Sequence, residues 1–307
     1  METSELLKKV RKIEIRTKGL TKQVFAGEYH SAFKGKGMAF SEVREYQYGD
    51  DIRAIDWNVT ARFNHPYVKI FEEERELTVM LLIDVSFSNI FGSQGKKSEM
   101  IALISSVLAF SAIQNNDKVG VIFFSDKEEK YIPPKKGKKH ILRIISDLLT
   151  FIEKIEVEQN QKKVSNTDIA QVLQKFTNAV KRRSTCFLIT DLLDFNGSRN
   201  TVNYTKALQI ARYKHDIVCL QIYDKRDYEL PNMGMVEFVD PETNERRIVD
   251  TSDKKTRKHY ANWRREYDKQ QERLAFAKFG VDLKRIGTHD KWEKEMMELF
   301  KRRSQRQ

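Results

Sequence analysis

From about residue 77 onward, the chain alternates short apolar runs with longer segments whose apolar residues recur at helical spacing. The short runs are continuous, which is typical of strands that are covered on both faces of a sheet. Strands that alternate with helices along a chain favour a parallel sheet. We therefore expect an α/β fold with a mostly parallel sheet, helices on both faces, and a hairpin insertion near residues 233–250.

Residues 14–77 have a different pattern, with short apolar alternations, several glycines and many paired charges. This pattern indicates a small, mostly β subdomain, which follows a short helix over residues 2–13. The predicted division is an N-terminal subdomain over residues 1–76 and an α/β domain over residues 77–307. A chain of 307 residues has room for one large domain or two modest ones.

The apolar segments and the cysteines bear on the cellular compartment. No apolar run reaches the length of a membrane-spanning helix, and the charged N-terminus lacks the apolar centre of a secretion signal. We therefore expect a cytoplasmic protein. Cys186 and Cys219 both lie inside apolar runs, so we interpret them as buried core residues and not as a disulfide or a zinc site.

The formal net charge of +12 permits an acidic partner such as nucleic acid, an anionic membrane surface or an acidic protein. The basic residues are dispersed, with small clusters at 135–140, 181–183 and 301–307. None of these clusters has the interleaved aromatic residues of a groove for single-stranded nucleic acid. We interpret them as solvated faces and expect no specific nucleic-acid partner.

Three oxygen-bearing side chains lie at the end of the first apolar run. Asp84 ends the run, and Ser86 and Ser88 come at alternate positions after it. A second run ends in Asp191, and Thr167 stands just before a predicted helix. Ligands of open α/β sheets bind beyond the carboxyl ends of the strands. Carboxylate and hydroxyl oxygens suit Mg²⁺, with Mn²⁺ or Ca²⁺ as alternatives.

These five residues predict a metal site in which hydroxyl oxygens bind the ion directly and the two acids lie nearby, in part through water. One open position on the ion would accept a carboxylate from a partner. The competing interpretation is a turn at the strand end, in which Ser and Asp side chains hydrogen-bond their own backbone. We favour the metal site, because three elements in the expected order contribute to it.

The element order and these motifs resemble the von Willebrand factor A fold and its metal-ion-dependent adhesion site. Carried over residue by residue, the three motifs of that site correspond to Asp84, Ser86 and Ser88, then Thr167, then Asp191. The resemblance implies a Mg²⁺-dependent site for protein–protein interaction.

The upstream stretches FKGKGMAFSEVREYQYGDDIRAIDWNVTAR and VKIFEEEREL resemble the signature of bacterial domain-of-unknown-function 58 proteins. Members of this family typically accompany MoxR-like AAA+ ATPases and other von Willebrand A proteins, and they are thought to act as adaptor-like or chaperone-like partners. The resemblance thus implies a non-enzymatic role with such a protein partner. Many members carry membrane spans, which this sequence does not show, so at most a peripheral association with membrane proteins is expected.

The signature segment contains charged and aromatic residues whose role the sequence leaves open: Arg44, Asp50, Arg53, Asp56, Trp57 and Arg62. One interpretation makes them a partner-binding surface. The other makes them a network of ion pairs and hydrogen bonds that fastens the small subdomain to the sheet, with Trp57 as its apolar anchor. We favour the second, because buried charges need partners.

Two further functions compete with the protein-interaction role. One is a metal-dependent phosphoesterase or nuclease that uses the same acids at the sheet edge. The other is a membrane or nucleic-acid binder that acts through the lysine clusters alone. The glycine-rich stretch at 91–98 does not match a phosphate-binding loop, because position 90 is Ile and Lys97 intervenes before Ser98. We interpret it as a basic loop between strand and helix, with Ser98 as the helix cap.

Overall fold

The computed structural model describes residues 36–74, 76–86, 97–125, 128–158, 167–193, 202–239 and 246–306, together with Arg11, Ile13, Tyr29, Ala32, Phe33 and Ser88. The chain divides into two compact units, one of residues Phe33–Leu77 and one of residues 1–32 and 78–307. Most of the helix predicted over residues 2–13 lies outside the described residues, although Arg11 and Ile13 are helical.

The smaller unit is built on two antiparallel strands, β1 (Lys36–Glu45) and β2 (Tyr67–Glu74). Between them lies a short helix, α1 (Trp57–Phe63), which the sequence interpretation did not predict. Asp56 begins this helix, because its carboxylate accepts hydrogen bonds from two backbone N–H groups of the first turn. Asn64 ends it in the left-handed conformation, which Asn tolerates better than most residues.

The larger unit contains the remaining described strands. They are β3 (Thr78–Asp84), β4 (Lys118–Phe124), β5 (Glu128–Lys135), β6 (Thr185–Thr190), β7 (Asp216–Tyr223), β8 (Met235–Val239), β9 (Arg246–Asp250) and β10 (Asp282–Gly287). Six of them form one sheet in the order β10-β7-β6-β3-β4-β5. Every described pairing in this sheet is parallel except that of β5, the edge strand. An edge position explains how β5 accommodates Pro133 and Pro134.

Helices cover both faces of this sheet. The described helices of the larger unit are α2 (Lys97–Gln114), α3 (Lys138–Glu158), α4 (Ile169–Ala179), α5 (Thr205–Lys214), α6 (Lys254–Gln271), which continues into a π-helical turn (Glu272–Ala277), and α7 (Trp292–Ser304). Successive side chains of a strand point to opposite faces. Those of β3 are buried on both, since Val79, Met80, Leu81 and Leu82 are all fully inaccessible to water. Such strands read as continuous apolar runs, as the sequence predicted.

The strand order confirms the predicted fold class, which is α/β and von Willebrand factor A-like. Counted along the chain, the six strands lie in the order 3-2-1-4-5-6, with the third strand antiparallel at one edge. The order reverses between β3 and β6, and such a switch point opens a crevice at the carboxyl ends of the two strands. The hairpin predicted near 233–250 is present as the antiparallel pair β8 and β9.

The observed units differ from the predicted division at the N-terminus. The break before Thr78 lies next to the predicted boundary, but residues 1–32 belong with the larger unit. Tyr29 illustrates the reason, because it is fully buried and its ring packs edge-on against Phe300 of α7, with the ring centres 6.0 Å apart. Tyr29, which precedes the first strand of the sheet by many positions in the sequence, is thus part of the apolar core of the larger unit.

Two expectations about composition can be compared with the described residues. Both Cys186 and Cys219 are buried and free, as predicted. Among the described helices, none combines the length and the apolar character that a membrane crossing requires.

Candidate functional site

The switch point brings the two predicted acids together. Asp84 is the last residue of β3, and Asp191 directly follows β6. These strands are neighbours in parallel register, with Ile83 opposite Ile189. Both carboxylates are buried, with exposures of 1% for Asp84 and 0% for Asp191. Two acids that lie more than a hundred positions apart in sequence thus share one water-poor site.

Hydrogen bonds from Ser86 and Thr190 hold the Asp84 carboxylate. Its Oδ1 accepts the Ser86 backbone N–H at 2.9 Å, and its Oδ2 accepts the Thr190 hydroxyl at 2.6 Å. Burial and the nearby charge of Asp191 raise the pKa of Asp84 to about 6, although hydrogen bonds from Ser86 and Thr190 oppose the rise. Sequence reasoning missed Thr190, whose only signal was a polar residue at the end of an apolar run.

The two serine hydroxyls lie side by side. Ser86 Oγ and Ser88 Oγ are 2.9 Å apart, and either hydroxyl can be the donor. In an octahedral Mg²⁺ site with ligands at 2.0–2.1 Å, neighbouring ligand oxygens lie about 2.9 Å apart. The observed separation therefore fits two adjacent ligand positions of one ion. A hydrogen bond from the Ser88 hydroxyl also reaches Asp191.

Thr167 is buried at the same edge of the sheet, just before α4. The next residue, Asp168, begins that helix by accepting the Gln171 backbone N–H at 2.8 Å. The Asp168 backbone N–H donates to the carbonyl of Ser125, which directly follows β4, at 3.0 Å. The loop that carries Thr167 is thereby fastened to the strand next to β3, so all five predicted ligands belong to this edge.

A buried lysine completes the cluster. Lys97, the first residue of α2, is 1% exposed, and its Nζ lies 3.1 Å from Asp191 Oδ2 and 3.3 Å from Asp227 Oδ2. The basic loop predicted over residues 91–98 is therefore wrong at Lys97, which belongs to α2 and is buried. The cap predicted at Ser98 is wrong as well, because α2 begins at Lys97 and Ser98 lies inside the helix.

These ion pairs set the pKa of both partners. Burial alone would raise the pKa of Asp191, but the charge of Lys97 and hydrogen bonds from the Leu193 N–H and the Ser88 hydroxyl outweigh it, so the pKa is lowered. Burial alone would lower the pKa of Lys97, yet Asp191 and Asp227 outweigh it, so that pKa is raised. The structure therefore holds a charged ammonium beside a charged carboxylate.

Buried side chains from β7 and α6 hydrogen-bond the backbone of the loop after β6. The carbonyl of Asp191 accepts hydrogen bonds from Arg264 Nη2 at 3.2 Å and from Gln221 Nε2 at 3.4 Å. Arg264 is itself buried and pairs with Asp268 at 3.3 Å. Leu192, directly after Asp191, has a φ of 59°, a conformation that is strained for a leucine. Its carbonyl accepts the hydroxyl of Tyr267 at 3.2 Å.

The described buried charges around these strand ends include the acids Asp84, Asp191, Asp224, Asp227 and Asp268 and the bases Lys97 and Arg264. Within the described part of the chain, no three His, Cys, Asp or Glu side chains converge on a metal-sized site. A cation here would therefore depend on the hydroxyl ligands.

In the smaller unit, the signature acids have local structural partners. Arg44 makes a bidentate pair with Asp50 at 2.7 and 2.8 Å, and this hydrogen-bonded pairing lowers the pKa of Asp50. Asp56 caps α1 and pairs with Lys69 at 3.5 Å. These contacts all lie within the unit and agree with a structural role for the three residues Arg44, Asp50 and Asp56.

The remaining signature residues are on the surface. Arg53 and Arg62 are exposed, and Trp57 is 68% exposed. Trp57 therefore lies outside the core of its own unit, because it is the first residue of α1, a short helix with no buried residue. Its interpretation as an apolar anchor to the sheet stays a prediction.

Comparison with solved structures identifies several chains of low similarity. BatB from Bacteroides thetaiotaomicron is 15% identical, with a TM-score of 0.39, and the match covers 75% of this chain and 99% of that one. The SpRpn10 VWA domain is 13% identical, with a TM-score of 0.36, and the match covers 72% of this chain and 94% of that domain.

Sequence comparison finds relatives that are described as uncharacterized proteins. Rv1480 of Mycobacterium tuberculosis is 26% identical over 244 residues, which make up 79% of this chain and 73% of the relative. YeaD of Bacillus subtilis is 30% identical over 108 residues, which make up 35% of this chain and 25% of YeaD. The family described as "Protein of unknown function DUF58" matches residues 42–271, which is more than half of the chain. The chain therefore belongs to the DUF58 family.

Proposed function

We propose that this chain is a non-enzymatic protein-interaction module that binds an acidic side chain of a partner through a divalent cation at the switch point. The observation that carries the proposal is the Ser86–Ser88 hydroxyl pair, whose 2.9 Å separation fits two ligands of one Mg²⁺ ion. Ser86, Ser88 and Thr167 would bind the ion directly, and Asp84 and Asp191 would contribute nearby charge. Bound there, Mg²⁺ would supply an electrophilic position for a partner's carboxylate, with Mn²⁺ or Ca²⁺ as alternatives.

The hydrogen bonds of the two acids support adhesion over hydrolysis. Both oxygens of Asp84 accept hydrogen bonds from the chain, and so do both oxygens of Asp191. A metal-dependent phosphoesterase or nuclease needs acids that bind the metal directly and a group that serves as general base. Acids that are already engaged in this way are poorly suited to both tasks.

The partner that we propose is a protein with an exposed carboxylate, namely a MoxR-like AAA+ ATPase or another von Willebrand A protein. This choice rests on the resemblance of the 33–77 signature and on membership of the family. An adaptor of this kind would act in the cytoplasm, which remains a prediction. The metal and the partner's carboxylate would then depend on each other for binding.

The first experiment is calorimetric titration of Mg²⁺ and Mn²⁺ into the full chain and into a Ser86→Ala/Ser88→Ala variant. We expect about one ion per chain in the parent and a large loss of affinity in the variant, because both hydroxyl ligands are removed. An Asp250→Asn variant is the matched control, since it changes an exposed acid outside the site. Equal affinity in the parent and the serine variant would contradict the proposed ligands.

The second experiment measures binding of a MoxR-like ATPase to the same proteins, in Mg²⁺ and in EDTA. Binding should require the metal and the two serines but not Asp250. Retained binding in EDTA and in the serine variant would contradict a metal-bridged interaction. Steady Mn²⁺-dependent hydrolysis of a phosphodiester, lost in Asp84→Asn, would instead establish the hydrolytic alternative.

A further inference from the structure

Lys97 is a buried charged residue of the switch-point cluster to which the proposed function gives no role. Its side chain is buried, and three carboxylate oxygens lie within 3.5 Å of its Nζ. An ammonium group has three hydrogen-bond donors, so these oxygens can satisfy all of them. One of the three, Asp191 Oδ2, belongs to a residue of the proposed metal site.

The carboxylate of Asp191 would stabilise both the Lys97 ammonium and a divalent cation at the proposed metal site. In a site shielded from water, two neighbouring cations repel each other far more strongly than they would on the surface. Arg264, which pairs with Asp268 and contacts the Asp191 carbonyl, adds a further positive charge on the same side. Each reduces the attraction that Asp191 can offer to a divalent ion.

Asp227 gives Lys97 a second position to hold. Asp227 lies in the turn after β7, where its Oδ2 accepts the Asp224 backbone N–H at 2.8 Å. This turn fixes the carboxylate independently of the β6 loop that carries Asp191. Lys97 can therefore remain paired with Asp227 when Asp191 turns to another cation, so Asp227 lowers the cost of that exchange.

We propose that Lys97 is an internal counter-ion that competes with the divalent cation for Asp191 and so weakens metal binding at the switch point. This inference rests on the proposed function. The isolated chain should therefore bind a divalent cation only weakly. Asp227 reduces the competition, because it can hold the Lys97 ammonium when Asp191 interacts with the cation. Lys97 and Asp227 are positioning residues here, since neither is a metal ligand.

Calorimetric titration of Mn²⁺ into the full chain tests this proposal. The deciding variant is Lys97→Met/Asp227→Asn, which removes one positive and one negative charge together and so avoids two unpaired buried carboxylates. It should bind Mn²⁺ about tenfold more tightly than the parent, the size of effect typical of residues next to metal ligands. Asp227→Asn alone should bind more weakly, because Lys97 then depends on Asp191.

Lys118→Met is the matched control. It removes the charge of a lysine at the opposite, amino end of β4, so Mn²⁺ affinity should not change. An increase in affinity in this control as large as that in the double variant would show a general effect of net charge and would overturn the assignment to Lys97.

The remaining outcomes separate this inference from the proposed function. If the parent binds Mn²⁺ and the double variant binds no more tightly, the role of Lys97 is wrong and the metal-dependent function stands. If only the double variant binds, Lys97 blocks the site and the metal-dependent function is wrong for the natural chain. If neither protein binds, both proposals fail.

Discussion

Two clusters in this chain each pair a basic residue with an aspartate, one partly exposed to water and the other buried. In the 33–77 unit, the side chains of Arg44 and Asp50 are 37% and 21% exposed, and they come from positions six apart, at the end of β1 and in the turn after it. At the switch point, the side chains of Lys97 and Asp191 are 1% and 0% exposed, and they come from positions 94 apart. The first pair needs only a local turn, whereas the second exists only when the whole sheet has formed.

The difference shows why a dense charged signature need not mark the site of chemistry. Water and salt screen an exposed pair, so its contribution to stability is small. A buried pair is held in place by the cost of leaving either partner alone, which makes its geometry dependable. A binding site needs side chains with a fixed geometry. In this chain the buried pair that provides it lies at the switch point, whose charged residues are far apart in the sequence.

The largest loss of stability is expected from Lys97→Met alone. The substitution leaves Asp191 and Asp227 without their buried cation, so the free energy of unfolding should fall by about 3–5 kcal/mol. Urea denaturation in EDTA measures it, because EDTA prevents a metal ion from replacing the ammonium. Lys118→Met serves as the control, and a loss no larger than in the control would mean that the Lys97 pairs contribute little to stability.

Thr190→Val tests the hydrogen bond that orients Asp84. The change keeps the shape of the side chain but removes both the donor to Asp84 Oδ2 and the acceptor of the Leu192 backbone N–H, so we expect a loss of about 1–3 kcal/mol in the free energy of unfolding. Thr177→Val is the comparison, because Thr177 is also buried and its hydroxyl donates to the Leu173 carbonyl at 2.7 Å within α4. An equal loss in the two variants would show that the Thr190 contacts stabilise the fold no more than a hydrogen bond within a helix.

Arg44→Met should have a smaller effect than either change at the switch point. The substitution removes the bidentate partner of Asp50 but leaves both side chains accessible to water. Urea denaturation at low and high salt should show a slight loss that diminishes as salt screens the pair. A loss comparable to that of Lys97→Met, and insensitive to salt, would remove the contrast between the two clusters.

Sequence reasoning identified the residues that meet at the candidate site but not the groups that position them. Asp84 and Asp191 could be found from the sequence because each comes at the end of an apolar run. The ends of parallel strands meet at one edge of a sheet. Lys97, Asp227 and Arg264 carry no such signal. Their importance comes from burial, and burial depends on loops and helices that the topology assembles from distant positions.

The smaller unit was predicted less well for a related reason. Its paired strands follow from alternation, but α1 is only seven residues long and buries none of them, so no apolar periodicity announces it. The cap at Asp56 was the available signal. Trp57 was interpreted as the apolar anchor of a charged network, and its place at the start of this helix leaves it exposed.

Trp57→Ser is expected to have the smallest effect on stability and to be the most informative about function. The side chain is 68% exposed, so the free energy of unfolding should change by no more than about 0.5 kcal/mol. Large exposed aromatic residues are frequent anchors of protein interfaces. Binding of a MoxR-like ATPase to this variant therefore tests whether the 33–77 unit takes part in recognition. Unchanged binding would confine recognition to the switch point, whereas a loss of binding with unchanged stability would give the 33–77 unit a share of the interface.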